Sequence, residues 1–170
     1  SASIRSVLPD SLIVSVEARD PKVRVVSDRN TYIIDSEGVV LDTYDRPQPT
    51  LPKIRLVDGG SLESAPGQHL TNDPKHGRSL LSALAIVDWM AQTNAEFPTP
   101  LDHVRIDASG VVLVAASGRL DIVLGDERRM DAKMEAVRSL LHANPPEDRS
   151  TIDARYTDIL VVRAFEPDEG

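Results

Sequence analysis

The sequence predicts an α+β domain, an antiparallel-rich mixed sheet with two helices on one face. Three observations carry that expectation. Alternating apolar and polar residues, rich in Val and Ile, dominate both ends of the chain. Two interior stretches repeat apolar residues at helical spacing instead. One phrase is written twice, as IDSEGVVL from Ile34 to Leu41 and as IDASGVVL from Ile106 to Leu113.

The elements follow in chain order. SLIVSVEA (11–18) sets Leu12, Val14 and Val16 against Ile13, Ser15 and Glu17, the alternation of a strand. Asp20-Pro21 breaks it and KVRVV resumes it. TYIIDSEGVVLDTY is two β-rich runs about a polar centre. RPQPTLP (46–52) is a proline-rich extended linker, because each Pro removes a donor and fixes φ. KIRLVDGG reads as a short strand ended by Gly59-Gly60, and 61–71 as a surface loop.

A helix is expected over about 75–95. Asp73 caps it and Pro74 suits its first turn, where a missing N–H costs nothing. Leu80, Leu84, Val87 and Ala91 form its apolar stripe, widened by Leu81 and Trp89. Pro98 and Pro100 prevent continuation. HVRIDA, GVVLVAA and GRLDIVLG then read as three strands. A second helix is expected over about 127–142, with Asp126 as N-cap. Met130, Met134, Val137 and Leu141 make its buried stripe, and Arg128, Asp131, Lys133, Glu135 and Arg138 its wet face. Asn144-Pro145-Pro146 ends it. ILVVRAF (159–165) is the last strand.

The doubled phrase is a turn device. Asp35 and Asp107 can accept from the backbone two residues on, and Gly38 and Gly110 can take a left-handed conformation. The expected turns are 36–38 and 108–110, with a further turn at Ser117-Gly118. A calcium loop would need oxygen ligands where Val-Val-Leu stands. The segments that follow the two copies differ, so the repeat is not a duplicated unit.

Composition narrows the function. At 170 residues the chain can bury roughly 70% of its unfolded surface without staples. It has no Cys, which removes disulfides, thiolate metal sites and thiol catalysis. A net charge of −8 argues against nucleic acid as a partner. No apolar run is long enough to span a bilayer. His69, His76, His103 and His142 are scattered and read as surface histidines. There is no Gly-x-Ser-x-Gly elbow and no phosphate-cradling loop. Trp89 reads as core. Neither a catalytic set, a metal site nor a cofactor is expected.

The order of the pieces resembles the FtsQ/DivIB family of bacterial division proteins. LPDSLIVSVEARDP (8–21) is similar to the end of that family's POTRA domain. YIIDSEGVVL is similar to the opening hairpin of its β domain, and LPKI (51–54) to its Leu-Pro signature. IVLGDERRMDAKMEAVRSLL (122–141), with Lys133, resembles its strand-Leu-Gly-helix passage. IDARYTDILVVRAF (152–165) resembles its closing Asp-x-Arg-Tyr strand. The segment 57–71 is longer than the family pattern.

The resemblance implies a POTRA remnant over 1–21, a β domain over 22–166 and an acidic tail over 167–170. It implies a non-enzymatic scaffold on the periplasmic side of a single-pass inner-membrane protein, with the anchor upstream. The implied partners are FtsB/FtsL-like coiled-coil proteins, bound by strand addition at the C-terminal strand, with no small-molecule substrate. The implied partner-binding residues are Tyr156, Ile159, Val161, Arg163 and Phe165. Two other classes fit the composition: a POTRA-like scaffold for envelope secretion or assembly, and an enzyme with a pKa-perturbed carboxylate pair in a cleft.

Overall fold

A computed structural model describes residues 2–7, 11–16, 18–44, 51–57, 62–93, 97, 100–115, 118–144, 150–156 and 159–164. The first two strands, β1 (Ala2–Val7) and β2 (Ser11–Val16), pair antiparallel with each other in a sheet of their own. The rest is one nine-stranded sheet. Its strands are β3 (Val23–Val26), β4 (Thr31–Ile34), β5 (Val40–Tyr44), β6 (Lys53–Leu56), β7 (Leu101–Asp107), β8 (Gly110–Ala115), β9 (Leu120–Gly125), β10 (Ser150–Asp153) and β11 (Val161–Ala164). They lie in the order β11-β10-β9-β8-β7-β6-β3-β4-β5. The β3/β6, β6/β7 and β9/β10 joins are parallel and the other joins antiparallel. The α+β, antiparallel-rich mixed sheet is therefore the observed fold.

Both copies of the repeated phrase make the expected hairpin turn. Asp35 Oδ1 accepts from the N–H groups of Glu37 and Val39, each at 2.9 Å, and Asp107 Oδ1 from that of Ser109 at 2.8 Å. Gly38 and Gly110 have φ of 80° and 102°, a region closed to most L side chains. Asp35 is also ion-paired to Arg19. Burial alone would raise its carboxyl pKa, but the Arg19 guanidinium and the two N–H groups hold it below the usual carboxylate range.

Helices α1 (Gly77–Thr93) and α2 (Met130–Ala143) pack on the same face of the nine-stranded sheet, and Trp89 Nε1 on one donates to Asp131 of the other at 3.1 Å. Asp73 caps as expected, accepting from Lys75 and His76 N–H at 3.0 and 2.7 Å, although regular helix starts only at Gly77. The buried stripe of α1 is Leu80, Ala83, Leu84, Ile86, Val87 and Met90. Leu81 is 55% exposed and Ala91 is exposed, so neither belongs to it. The apolar arc is rotated toward Ala83 and Met90. Trp89 is half-buried and meets Phe97 edge-on, with ring centroids 6.5 Å apart.

Helix α2 begins at Met130, later than expected, because Asp126 closes a separate turn by accepting from Arg128 N–H at 3.1 Å and Arg129 then adopts φ 54°. Met134, Val137 and Leu141 lie in the core, with Met130 packed against it. Lys133 is not on the wet face. It is 3% exposed, and its Nζ donates to the carbonyls of Leu124 and Asp126 at 2.8 and 3.0 Å and to the Asp126 carboxylate at 3.0 Å.

Two further expectations are corrected. The described part of 61–71 is not a plain surface loop. Leu62 and Leu70 enter the core, and the Leu62 carbonyl accepts from the Tyr32 hydroxyl. His76 is buried, with Nδ1 3.0 Å from Asp73 Oδ1, and His103 is partly buried; His69 and His142 are exposed as expected. Gly59-Gly60 and the linker 46–50 lie outside the described residues.

Candidate partner-binding edge

The closing segment is two strands where the sequence read one. Ser150 to Asp153 forms β10, which runs parallel to β9 with Ile152 beside the core residue Ile122. The Ala154 N–H donates to the Val123 carbonyl at 2.8 Å, extending that pairing by one residue. The chain then turns on a local device. Asp153 Oδ1 accepts from the Arg155 backbone N–H at 3.2 Å, and the Arg155 side chain returns a forked pair, Nε to Oδ1 at 3.0 Å and Nη2 to Oδ2 at 2.6 Å. The Arg155 guanidinium, outweighing burial, holds the Asp153 carboxyl below the usual aspartate range. A Cβ at Gly125 would come within 3.1 Å of Arg155 Cγ, so the absence of a side chain there lets the Arg155 stem lie over the end of β9. The clamp fixes the backbone that presents Tyr156.

After this turn the chain reverses into β11, antiparallel to β10, with Val162 opposite Ile152, Val161 opposite Asp153 and Arg163 opposite Thr151. Opposed residues share a face, so Val162 lies on the helix side and Val161 and Arg163 on the other. The outer side of β11 has no strand beside it among the described residues. The opposite edge of the sheet is treated differently. There the Val40 N–H donates to Gln68, the Gly67 N–H to Val40 and the Leu70 N–H to Gly38, at 2.8 to 2.9 Å, and Val39 bridges His69. The chain's own loop bonds the start of β5 at one end of the sheet, whereas at the other end no strand takes up the outer N–H and C=O groups of β11 among the described residues.

The open edge is also apolar. Tyr156 is 71% exposed, Ile159 68%, Val162 50% and Val161 41%, against two other exposed large apolar residues, Val57 and Leu81, among the described residues. Exposed apolar side chains beside a strand edge are a feature that protein-interaction surfaces share. Four of the five residues singled out from the sequence are thus gathered here: Tyr156, Ile159, Val161 and Arg163. Ile159 lies before the strand, which starts at Val161 and not at Ile159. Phe165 lies outside the described residues. Val162, on the helix side yet half-exposed, was not among them. The missing signal is β10: without a break between Asp153 and Tyr156 the sequence does not show that the last strand is an edge.

Other groups of chemical interest are engaged locally. Asp126 would be raised by burial, but its bond to Lys133 holds it below the usual range. Burial lowers His103, against the opposing pull of Asp102. Among the described residues, no three His, Asp or Glu side chains converge as a ligand set, and no helix is long and apolar enough to cross a membrane. Compared with protein-family models and with curated proteins, the chain matches none.

Proposed function

We propose that this chain is the β-domain region of an FtsQ/DivIB-like division scaffold, a non-enzymatic protein on the periplasmic side of the inner membrane, anchored by an upstream helix. In this reading it binds FtsB/FtsL-like partners by strand addition at β11. One observation carries the proposal: among the described residues the sheet ends at β11 with no strand beyond it, and Tyr156, Ile159, Val161 and Val162 are exposed apolar side chains on or just before it. A strand added there gains main-chain hydrogen bonds, each worth about 0.5–1.5 kcal/mol net, whatever its side chains. Tyr156, held by the Arg155–Asp153 clamp, supplies an aromatic anchor of the kind that dominates interface energetics. The resemblance of IDARYTDILVVRAF to the family's closing strand supplies the partner class.

The test is titration of a peptide from the extracytoplasmic region of an FtsB-like partner, beside thermal melts. Tyr156→Ala is expected to weaken binding by at least about 1 kcal/mol without changing the melt. Along β11 the N–H groups alternate between β10 and the outside. Of Val162→Pro and Arg163→Pro, one therefore breaks a bond to β10 and the other removes only an outward donor. The variant that keeps its stability must lose the partner. Unchanged affinity in both Tyr156→Ala and that proline variant overturns the proposal.

A further inference from the structure

The sheet face turned away from the helices carries a charge pattern that the edge does not use. On β3, Arg24 and Val26 alternate with the buried Val23 and Val25; on β6, Lys53 and Arg55 alternate with Ile54 and Leu56; on β7, Arg105 alternates with Val104 and Ile106. The buried members join the helix-side core, so the others point to the opposite face. Register sets Arg24 beside Lys53, and Arg55 beside both Val26 and Arg105. Two abreast pairs of cations, Arg24 with Lys53 and Arg55 with Arg105, therefore stand on three adjoining strands of a chain whose net charge is −8. Like charges abreast in a sheet are destabilising.

The fold neutralises two of them. Arg105 donates to Asp107 at 3.0 Å and to Asp121 at 2.9 Å, and Lys53 lies 3.5 Å from Asp102. Arg24 and Arg55 have no ion pair among the described residues. Arg55 is exposed. Arg24 is partly buried, and its Nε is shut away from solvent with no acceptor. A buried donor left without a partner is destabilising.

We propose that Arg24 and Arg55 form a docking site for an acidic segment of a partner protein, an extended peptide that lays two carboxylates across β3 and β6. The spacing suits such a ligand. Arg24 is one strand over and two residues along from Arg55, a backbone separation of roughly 8 Å, and alternate residues of an extended chain lie roughly 7 Å apart on one face. The peptide is favoured over an anionic membrane or nucleic acid by charge. A net −8 repels an extended polyanion as a whole, whereas two carboxylates meet only the local field, which dies away over about 8 Å at physiological salt.

The experiment measures fluorescence anisotropy of an end-capped, labelled pentapeptide alternating glutamate and valine, with its glutamine counterpart and phosphatidylglycerol vesicles as separate arms. The glutamate peptide is expected to bind, more weakly as salt rises, and the glutamine peptide not to bind. Arg55→Gln and Arg24→Gln should each weaken binding by about fivefold or more, while Arg128→Gln, whose side chain is 71% exposed in the turn before α2, and Tyr156→Ala leave it unchanged. Arg55 is exposed, so its variant decides the matter even where the Arg24 variant loses stability. Equal binding of the two peptides, vesicle binding without peptide binding, or full affinity in Arg55→Gln overturns the proposal. Because Tyr156→Ala is silent here, failure at this face is separate from failure at the edge.

Discussion

Replacing Lys133 by Met isolates what a buried ammonium contributes to this fold. Methionine keeps most of the stem and its packing but forfeits all three hydrogen bonds. The bond to the Asp126 carboxylate contributes little, below about 1 kcal/mol, because that side chain is 43% exposed and water replaces the lysine. The Leu124 carbonyl also keeps one donor, the Asp126 N–H at 2.9 Å. What is lost is mainly charge-assisted bonding to backbone carbonyls, about 1.5–3 kcal/mol, less the relief of no longer desolvating the ammonium. The net expectation is about 2 kcal/mol of destabilisation. In a chain of 170 residues this lowers the Tm by roughly 4–8 °C. Lys133→Ala also removes about three methylenes of buried stem, adding about 2 kcal/mol. Thermal melts and urea titrations of the three proteins should therefore rank parent above Met above Ala. A Met variant at or above the parent would refute the reasoning, since the burial cost would then match everything the bonds return.

Leu141→Asp and Val137→Asp place a carboxylate in the core and should cost at least about 3 kcal/mol; a parent-like melt of either places the α2 stripe outside the core. Arg24→Met keeps the stem and removes the orphaned Nε, so its Tm should equal or exceed the parent's, and a clear fall would show that the guanidinium is satisfied. Stability should decline in acid in two stages. Burial lowers His103, so its contribution is present above about pH 6.5 and lost as pH falls through its folded value. Asp35, Asp73, Asp126 and Asp153 are lowered too, so their contributions are present above about pH 4 and lost below it. A Tm that rises from pH 7 to pH 5 contradicts this sign. Tyr156→Ala should leave the melt within about 0.5 kcal/mol of the parent, since the ring is mostly in solvent.

Local chemistry was the legible part of this fold. The Asp-x-x-Gly turns, the Asp73 cap and the Met134–Val137–Leu141 stripe follow from interactions within a few residues, and the structure has all three. Periodicity puts Lys133 on the wet face because it cannot tell a solvated lysine from one whose ammonium is buried against carbonyls, and those of Leu124 and Asp126 stand at the mouth of β9. Leu62 was lost for a similar reason: a single apolar residue in a polar stretch has no period, yet Tyr32 fixes its carbonyl. At the edge, the sequence supplied Tyr156 and the faces of β11. It could not show which strand ends the sheet, because strand order is a property of distant pairings.

The strand order has a kinetic consequence. Residues 23–56 supply β3 to β6 and residues 101–164 supply β7 to β11, so each half of the sheet comes from one continuous stretch of chain. Within the sheet, the halves meet at the parallel β6/β7 seam of three register pairs, Ile54 with Val104, Arg55 with Arg105 and Leu56 with Ile106. Each half can form most of its pairings over short loops before the entropy of closing the long 57–100 connection is met. Folding is then expected to proceed as two cooperative units followed by docking at the seam, each unit organised around its own copy of the Asp-x-x-Gly turn. Native-state hydrogen exchange should resolve two sets of amides divided at Leu56 and Leu101, with the seam opening at lower free energy than the centre of either half.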